Sequence, residues 1–177
     1  MSYFAIKRDD ITGAAIIVDY IHHEIHEGDY FTYTNAQELT NAQTISFVMV
    51  TPNTTKWAHF GFQIEGEAEF DIQMFEGATP DANGTLVSAP AVINANRNVV
   101  DTHTTLIYHT PTLGVGSKGT LIKRWHSGSG KTAGGAAGTL SETVLDQNNK
   151  YWFDITNSTT SNNWLSWIAG WYEHTNL

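Results

Sequence analysis

The stretch YIHHEIHEGDYFTYT (20–34) gathers His22, His23, Glu24 and His26, residue types from which metal and acid–base sites are made. Two histidines and a glutamate are a known zinc ligand set. In the HEXXH zinc proteases a helix stacks two histidines at i and i+4, and the glutamate directly follows the first. Here His22 and His26 have that spacing, but the next position is His23. The His-x-His that opens a cupin pattern is also missing. The surrounding pattern reads as a strand, in which His22, Glu24 and His26 share one face and His23 points the other way. Same-face neighbours on a strand stand about 6.5–7 Å apart at the backbone, so the three could chelate one ion only with a bulge or another strand's help. The spacing therefore predicts no metal and no cofactor. If a metal were bound, its ligands would be His22, Glu24 and His26.

Three other groups could do chemistry. Gly128-Ser129-Gly130-Lys131-Thr132 looks like the end of a phosphate-binding loop. That loop needs a glycine five residues before its Gly-Lys pair, where Trp125 stands, and a following helix to hold the phosphate. AGGAAG (133–138) is a poor helix opening. Glu65, Glu67, Glu69, Asp71 and Glu76 could supply the paired carboxylates of a glycosidase, but their alternation makes them the solvated face of a strand. Trp164, Trp167 and Trp171 could form a sugar platform. In a strand, Trp167 and Trp171 share a face with Leu165 and Ala169, which reads as core or interface. There is no Gly-x-Ser-x-Gly elbow and no Asp-rich calcium loop. No catalytic signature emerges, and the expectation is a protein that is not an enzyme.

The elements that would position these residues are strands. β-branched and aromatic residues prevail over 15–27, and TISFVMVT (44–51) is a short apolar run ending at Pro52. Over 57–65, Phe60, Phe62 and Ile64 alternate with Gly61, Gln63 and Glu65. Over 67–74, Ala68, Phe70, Ile72 and Met74 face a core, and Glu67, Glu69, Asp71 and Gln73 face water. A turn near Glu65-Gly66 divides these two strands. Turn signals fill 77–85. Further strands are expected near 86–93, 102–110, 120–125, 151–156 and 164–172, with Tyr151, Phe153 and Ile155 on one face. One helical turn fits within 139–147. The pattern predicts an all-β protein, an antiparallel β-sandwich of 8–10 strands. Residues 1–14 form an N-terminal arm, 15–177 a single sandwich domain, and 127–138 a Gly-rich surface loop.

Composition narrows the partners. The 177 residues are 41% hydrophobic but only 15% charged, where about a quarter is usual. Neutral polar residues must therefore cover the surface. The net charge is −9, and the densest basic group is Lys123-Arg124. Direct nucleic-acid binding and attachment to an anionic membrane are disfavoured. With no cysteine, disulfides and thiolate chemistry are excluded. MSYFAIKRDDITG (1–13) lacks a signal-peptide core, and no run approaches the roughly 18 apolar residues of a membrane span. Assembly in the cytoplasm without export is expected.

HHEIHEG (22–28) followed by DYFTYT resembles a family of small structural proteins of tailed bacteriophages, often encoded near the major capsid protein. The resemblance continues through FQIEGEAEFDIQMFEGATPDANGT (62–85), NANRN (94–98), YHTPT (108–112), YWFDITN (151–157) and WYEH (171–174). It implies a non-enzymatic capsid decoration or cement protein: a jelly-roll-like sandwich on the outer capsid surface, commonly a homotrimer, with the major capsid protein as partner. The family supplies no catalytic residues. Its HHEIH and NANRN positions are structural or at a subunit contact, which makes His22, His26 and Arg97 interface candidates beside Trp164, Trp167 and Trp171. An acidic surface, repelled by packaged DNA, fits an outside position. Two other readings remain: a glycan-binding or adhesion module of a head fibre or tail, and a metal-dependent cupin-like enzyme.

Overall fold

A computed structural model describes residues 20–88, 91–99, 101–127, 138–139 and 142–175. They form one helix, α1 (Tyr20–Glu27), and twelve strands in two antiparallel sheets. The first sheet holds β1 (Tyr30–Leu39), β3 (Lys56–Gly66), β6 (Val92–Asn94), β9 (Gly138–Thr139), β10 (Thr143–Leu145) and β12 (Asn163–Thr175). Its order is β10-β3-β12-β1-β6, with β9 also on β3. The second holds β2 (Thr44–Val50), β4 (Phe70–Glu76), β5 (Thr85–Leu86), β7 (Leu106–His109), β8 (Thr120–Ser127) and β11 (Lys150–Asn157), in the order β5-β7-β2-β11-β4-β8. The expected all-β antiparallel sandwich is the architecture found. The strand number exceeds the expected 8–10 because β5, β6, β9 and β10 are only two or three residues long.

The core follows from period-2 alternation. Phe60, Phe62 and Ile64 of β3 and Leu165, Trp167, Ala169 and Trp171 of β12 point inward from the first sheet. Phe47, Ile72, Met74, Tyr151, Phe153 and Ile155 meet them from the second. Phe47 and Phe153, register partners on β2 and β11, stack with ring centroids 4.4 Å apart. Burying each such ring contributes about 1.5–3 kcal/mol.

Several expectations fail. The strand expected over 15–27 is helical from Tyr20, and 15–19 lies outside the described residues. Ile21 and Ile25 stand four apart, a spacing that serves a helix face, and the segment ends in a glycine stop. Gly28 has φ +90. Asp29 N–H donates to Glu24 O at 3.0 Å and Gly28 N–H to Ile25 O at 3.2 Å, the paired bonds of a Schellman cap. The helical turn expected within 139–147 is replaced by β9 and β10. The strand expected near 86–93 is two short strands in different sheets. Asp71 faces not open water but Arg124, whose Nε donates to it at 3.0 Å, and is only 9% exposed. The arm 1–14 and most of the loop 127–138 lie outside the described residues.

The two outer faces differ. The 111–119 segment folds over the second sheet. It is fastened by the bridges Thr79↔Ser117 and Ala82↔Thr112, and Leu113 packs on the Val48, Ala78 and Trp152 cluster. Lys118 Nζ donates to the buried Asp154 at 2.6 Å, and Asp154 also accepts from Ser46 Oγ and Trp152 Nε1. The outer face of the first sheet instead exposes Trp164, Ile168 and Ile93.

Candidate functional site

The helix settles the geometry of the histidine cluster. One turn brings His22 and His26 together, with their Nε2 atoms 2.9 Å apart and one donating to the other. Glu24 turns the opposite way and is 4% exposed. His23 Nδ1 is 3.5 Å from its carboxylate. The ligand set His22, Glu24 and His26 is thus broken, because a strand's alternation groups these residues and a helix separates them. Among the described residues, no group of three or more His, Asp or Glu is placed to hold a metal ion.

The helix end explains NANRN. Asn96 Nδ2 donates to His26 O at 2.9 Å and Asn94 Nδ2 to Gly28 O at 2.6 Å. His26 O is one of the acceptors that the helix end leaves unpaired, and Gly28 O belongs to the residue just past it. Asn94 Oδ1 accepts from Asn96 N–H, and Asn96 Oδ1 from Asn98 N–H. Arg97 sits at the tip of this turn, exposed, as are His22 and His26. The two asparagine bonds bring the turn that carries Arg97 against the end of the helix that carries His22 and His26.

The tryptophan candidates divide. Trp164 is 51% exposed on the outer face. Trp167 and Trp171 are buried in the core and are not surface contacts of this fold. Odd positions of β12 point inward, so the alternation that made them core or interface resolves to core.

One polar group escaped the sequence reading. Tyr172 and His59 are register partners on β12 and β3, and their rings stack at 4.5 Å. His59 Nδ1 is 2.6 Å from Glu142 Oε1 and 2.9 Å from Tyr172 OH. His59 Nε2 meets His174 Nε2 at 2.8 Å, and His174 Nδ1 lies 2.9 Å from Thr175 O. Burial raises the Glu142 pKa, but hydrogen bonds from His59 and Tyr172 and the histidines' positive charge outweigh it and hold the carboxyl below its ordinary value. All four ring nitrogens of His59 and His174 are engaged, which suits a fixed polar network more than abstracting a proton from a substrate. WYEH puts Tyr172 and His174 on one strand face, a signal present in the sequence. Their partner His59 stands more than a hundred residues away and left none.

A second buried polar contact lies between the sheets, where Tyr33 OH and His109 Nε2 are 2.7 Å apart. Burial pushes Tyr33 up to about 12 and His109 below its ordinary value. Among the described residues, no helix is long and apolar enough to cross a membrane. Comparison with family models, curated proteins and solved structures finds no match.

Proposed function

We propose that this chain is a non-enzymatic structural protein of a tailed-phage virion. It binds the outer surface of the capsid shell as a homo-oligomer, preferably a trimer, and is assembled in the host cytoplasm. One observation carries the reading. The segments HHEIHEG and NANRN, which carry the resemblance, are about seventy residues apart, yet two asparagine side chains bind them into one exposed knob. That knob displays His22, His26 and Arg97. Arginine is enriched in protein interfaces, and a knob built from a capped helix is rigid enough to dock without reordering. The other polar residues of the resembling segments support a structural role, because they are occupied in holding the sandwich. Asn157 Nδ2 donates to Leu39 O, Thr40 O and Ser161 O, Asp154 holds Lys118, and Glu173 ties down the residues before β7. Each subunit's contacts would be modest, and an oligomer spanning neighbouring capsomers would combine them by multivalency. The partner is the major capsid protein.

Electron cryomicroscopy of the virion tests this. Density for the sandwich on the outer capsid surface, with the α1 and 94–98 end against the shell, is expected. Density at the tail, or none in the particle, overturns it.

A further inference from the structure

The outer face of the first sheet carries a trough that neither the knob nor the core accounts for. It follows β12 from Tyr172 to Trp164, eight residue steps, or roughly 26 Å of strand. Three cavities of about 180, 490 and 510 Å3 lie along it. They join end to end, since Gln63 and Ile168 line the first two and Ala36, Glu65 and Ser166 line the last two. Toward Tyr172 the floor is glycine. Gly61 and Gly170 are register partners, and a Cβ on Gly170 would lie 2.4 Å from Tyr30 Oη, so the Tyr30 ring walls that end closely.

The lining restricts the ligand. β12, the middle strand of the floor, is hydrogen-bonded on both sides, to β1 and β3, so a peptide cannot add to it as a strand. Among the described residues, no Lys or Arg lines any of the three cavities, and the chain carries a net charge of −9. A polyanion is repelled. The hydrogen-bonding groups are neutral in Gln63, Thr34 and Ser166 and acidic in Glu65, Glu67 and Glu142, all acceptors for hydroxyls, beside the apolar Ile168 and the exposed Trp164 indole. Such a surface complements a chain with hydroxyls on its edges and C–H groups on its faces.

We propose that this trough binds an uncharged oligosaccharide. A sugar ring stacks on Trp164, and hydroxyls bond to Gln63, Glu65 and Ser166. The proposal does not rest on the capsid role, and it can be tested on the purified chain alone. The full chain is titrated with cellohexaose, maltohexaose, xylohexaose and N-acetylchitohexaose, followed by tryptophan fluorescence and calorimetry. At least one is expected to bind saturably, with a Kd on the order of micromolar to millimolar. Trp164→Ala weakens that binding roughly tenfold or more, and Gln63→Ala weakens it less. Both side chains are exposed, so both variants keep the parental urea midpoint. Absence of binding by all four sugars, or binding that Trp164→Ala leaves unchanged, overturns the proposal.

Discussion

Glu173 offers a demanding test of how this sandwich is held. Its side chain enters the core end of β12 and is 1% exposed. The carboxylate accepts from four donors. Thr104 N–H reaches both oxygens, at 3.1 and 2.9 Å, Thr105 N–H lies at 2.7 Å and Trp171 Nε1–H at 3.0 Å, and the Thr104 hydroxyl also donates. No Lys, Arg or His pairs with it among the described residues. Glu173→Gln keeps the shape but turns one acceptor oxygen into an NH2 that faces donors. Roughly half of the bonds are lost, each worth about 1.5–3 kcal/mol when made to a charge. Relief from burying that charge offsets part of the loss. The expected net destabilisation is about 2–4 kcal/mol. For a chain of this length each kcal/mol lowers Tm by about 2–4 °C, so Tm should fall by roughly 5–15 °C. Urea unfolding followed by tryptophan fluorescence gives the first figure and calorimetry the second. Hydrogen exchange at the Thr104 and Thr105 amides should accelerate ahead of the rest of the sheet. A Glu173→Gln variant within about 0.5 kcal/mol of the parent, with those two amides still protected, would refute the claim that the carboxylate anchors the segment.

Two further outcomes follow from local geometry. Gly28→Ala forces a side chain into φ +90 and brings Cβ to 2.6 Å from Val99 Cγ1. The conformational part alone costs about 1–2 kcal/mol, so the urea midpoint should drop and helical ellipticity should fall. A variant with parental stability would mean that α1 does not need its glycine cap. Burial lowers the His109 pKa from the usual 6.5, so the unfolded chain takes up this proton at a higher pH than the folded one. The site's contribution to stability is full above about pH 6.5 and is lost as pH falls toward the depressed folded value. His109→Gln should flatten the decline of the urea midpoint between about pH 7 and pH 5, and an unchanged slope would exclude His109 as a source of that decline.

What the sequence disclosed was local. A period of two is written in neighbouring residues, so the inward sets Phe60, Phe62, Ile64 and Tyr151, Phe153, Ile155 could be read directly, and with them the sandwich. YIHHEIHE was misread because its two isoleucines, Ile21 and Ile25, fit either period. What decides between them is a glycine stop and two asparagines some seventy residues downstream. Asp71 was assigned to water because alternation gives a side, while the cover on that side comes from β8. His59 with Tyr172 and His174 depended on the pairing of β3 with β12, and register is a long-range property that no window contains. Trp164 and Trp167 show the same limit. Alternation separates the two, but only the placement of the second sheet says which face is dry.

The strand orders also bear on how the chain is made. β11 sits between β2 and β4, and β12 between β1 and β3. The central strand of each sheet thus leaves the ribosome after both of the strands it joins. Until Lys150–Asn157 appears, β2 and β4 have no partner between them, and until Asn163–Thr175 follows, β1 and β3 have none. The nascent chain therefore carries open, apolar edges until β11 and β12 emerge, and these two successive strands close both sheets. Folding dominated by such distant pairings is slow and leaves those edges open to aggregation. A ribosome stalled before β11 should hold a protease-sensitive chain, and one carrying the whole chain clear of the exit tunnel a resistant one.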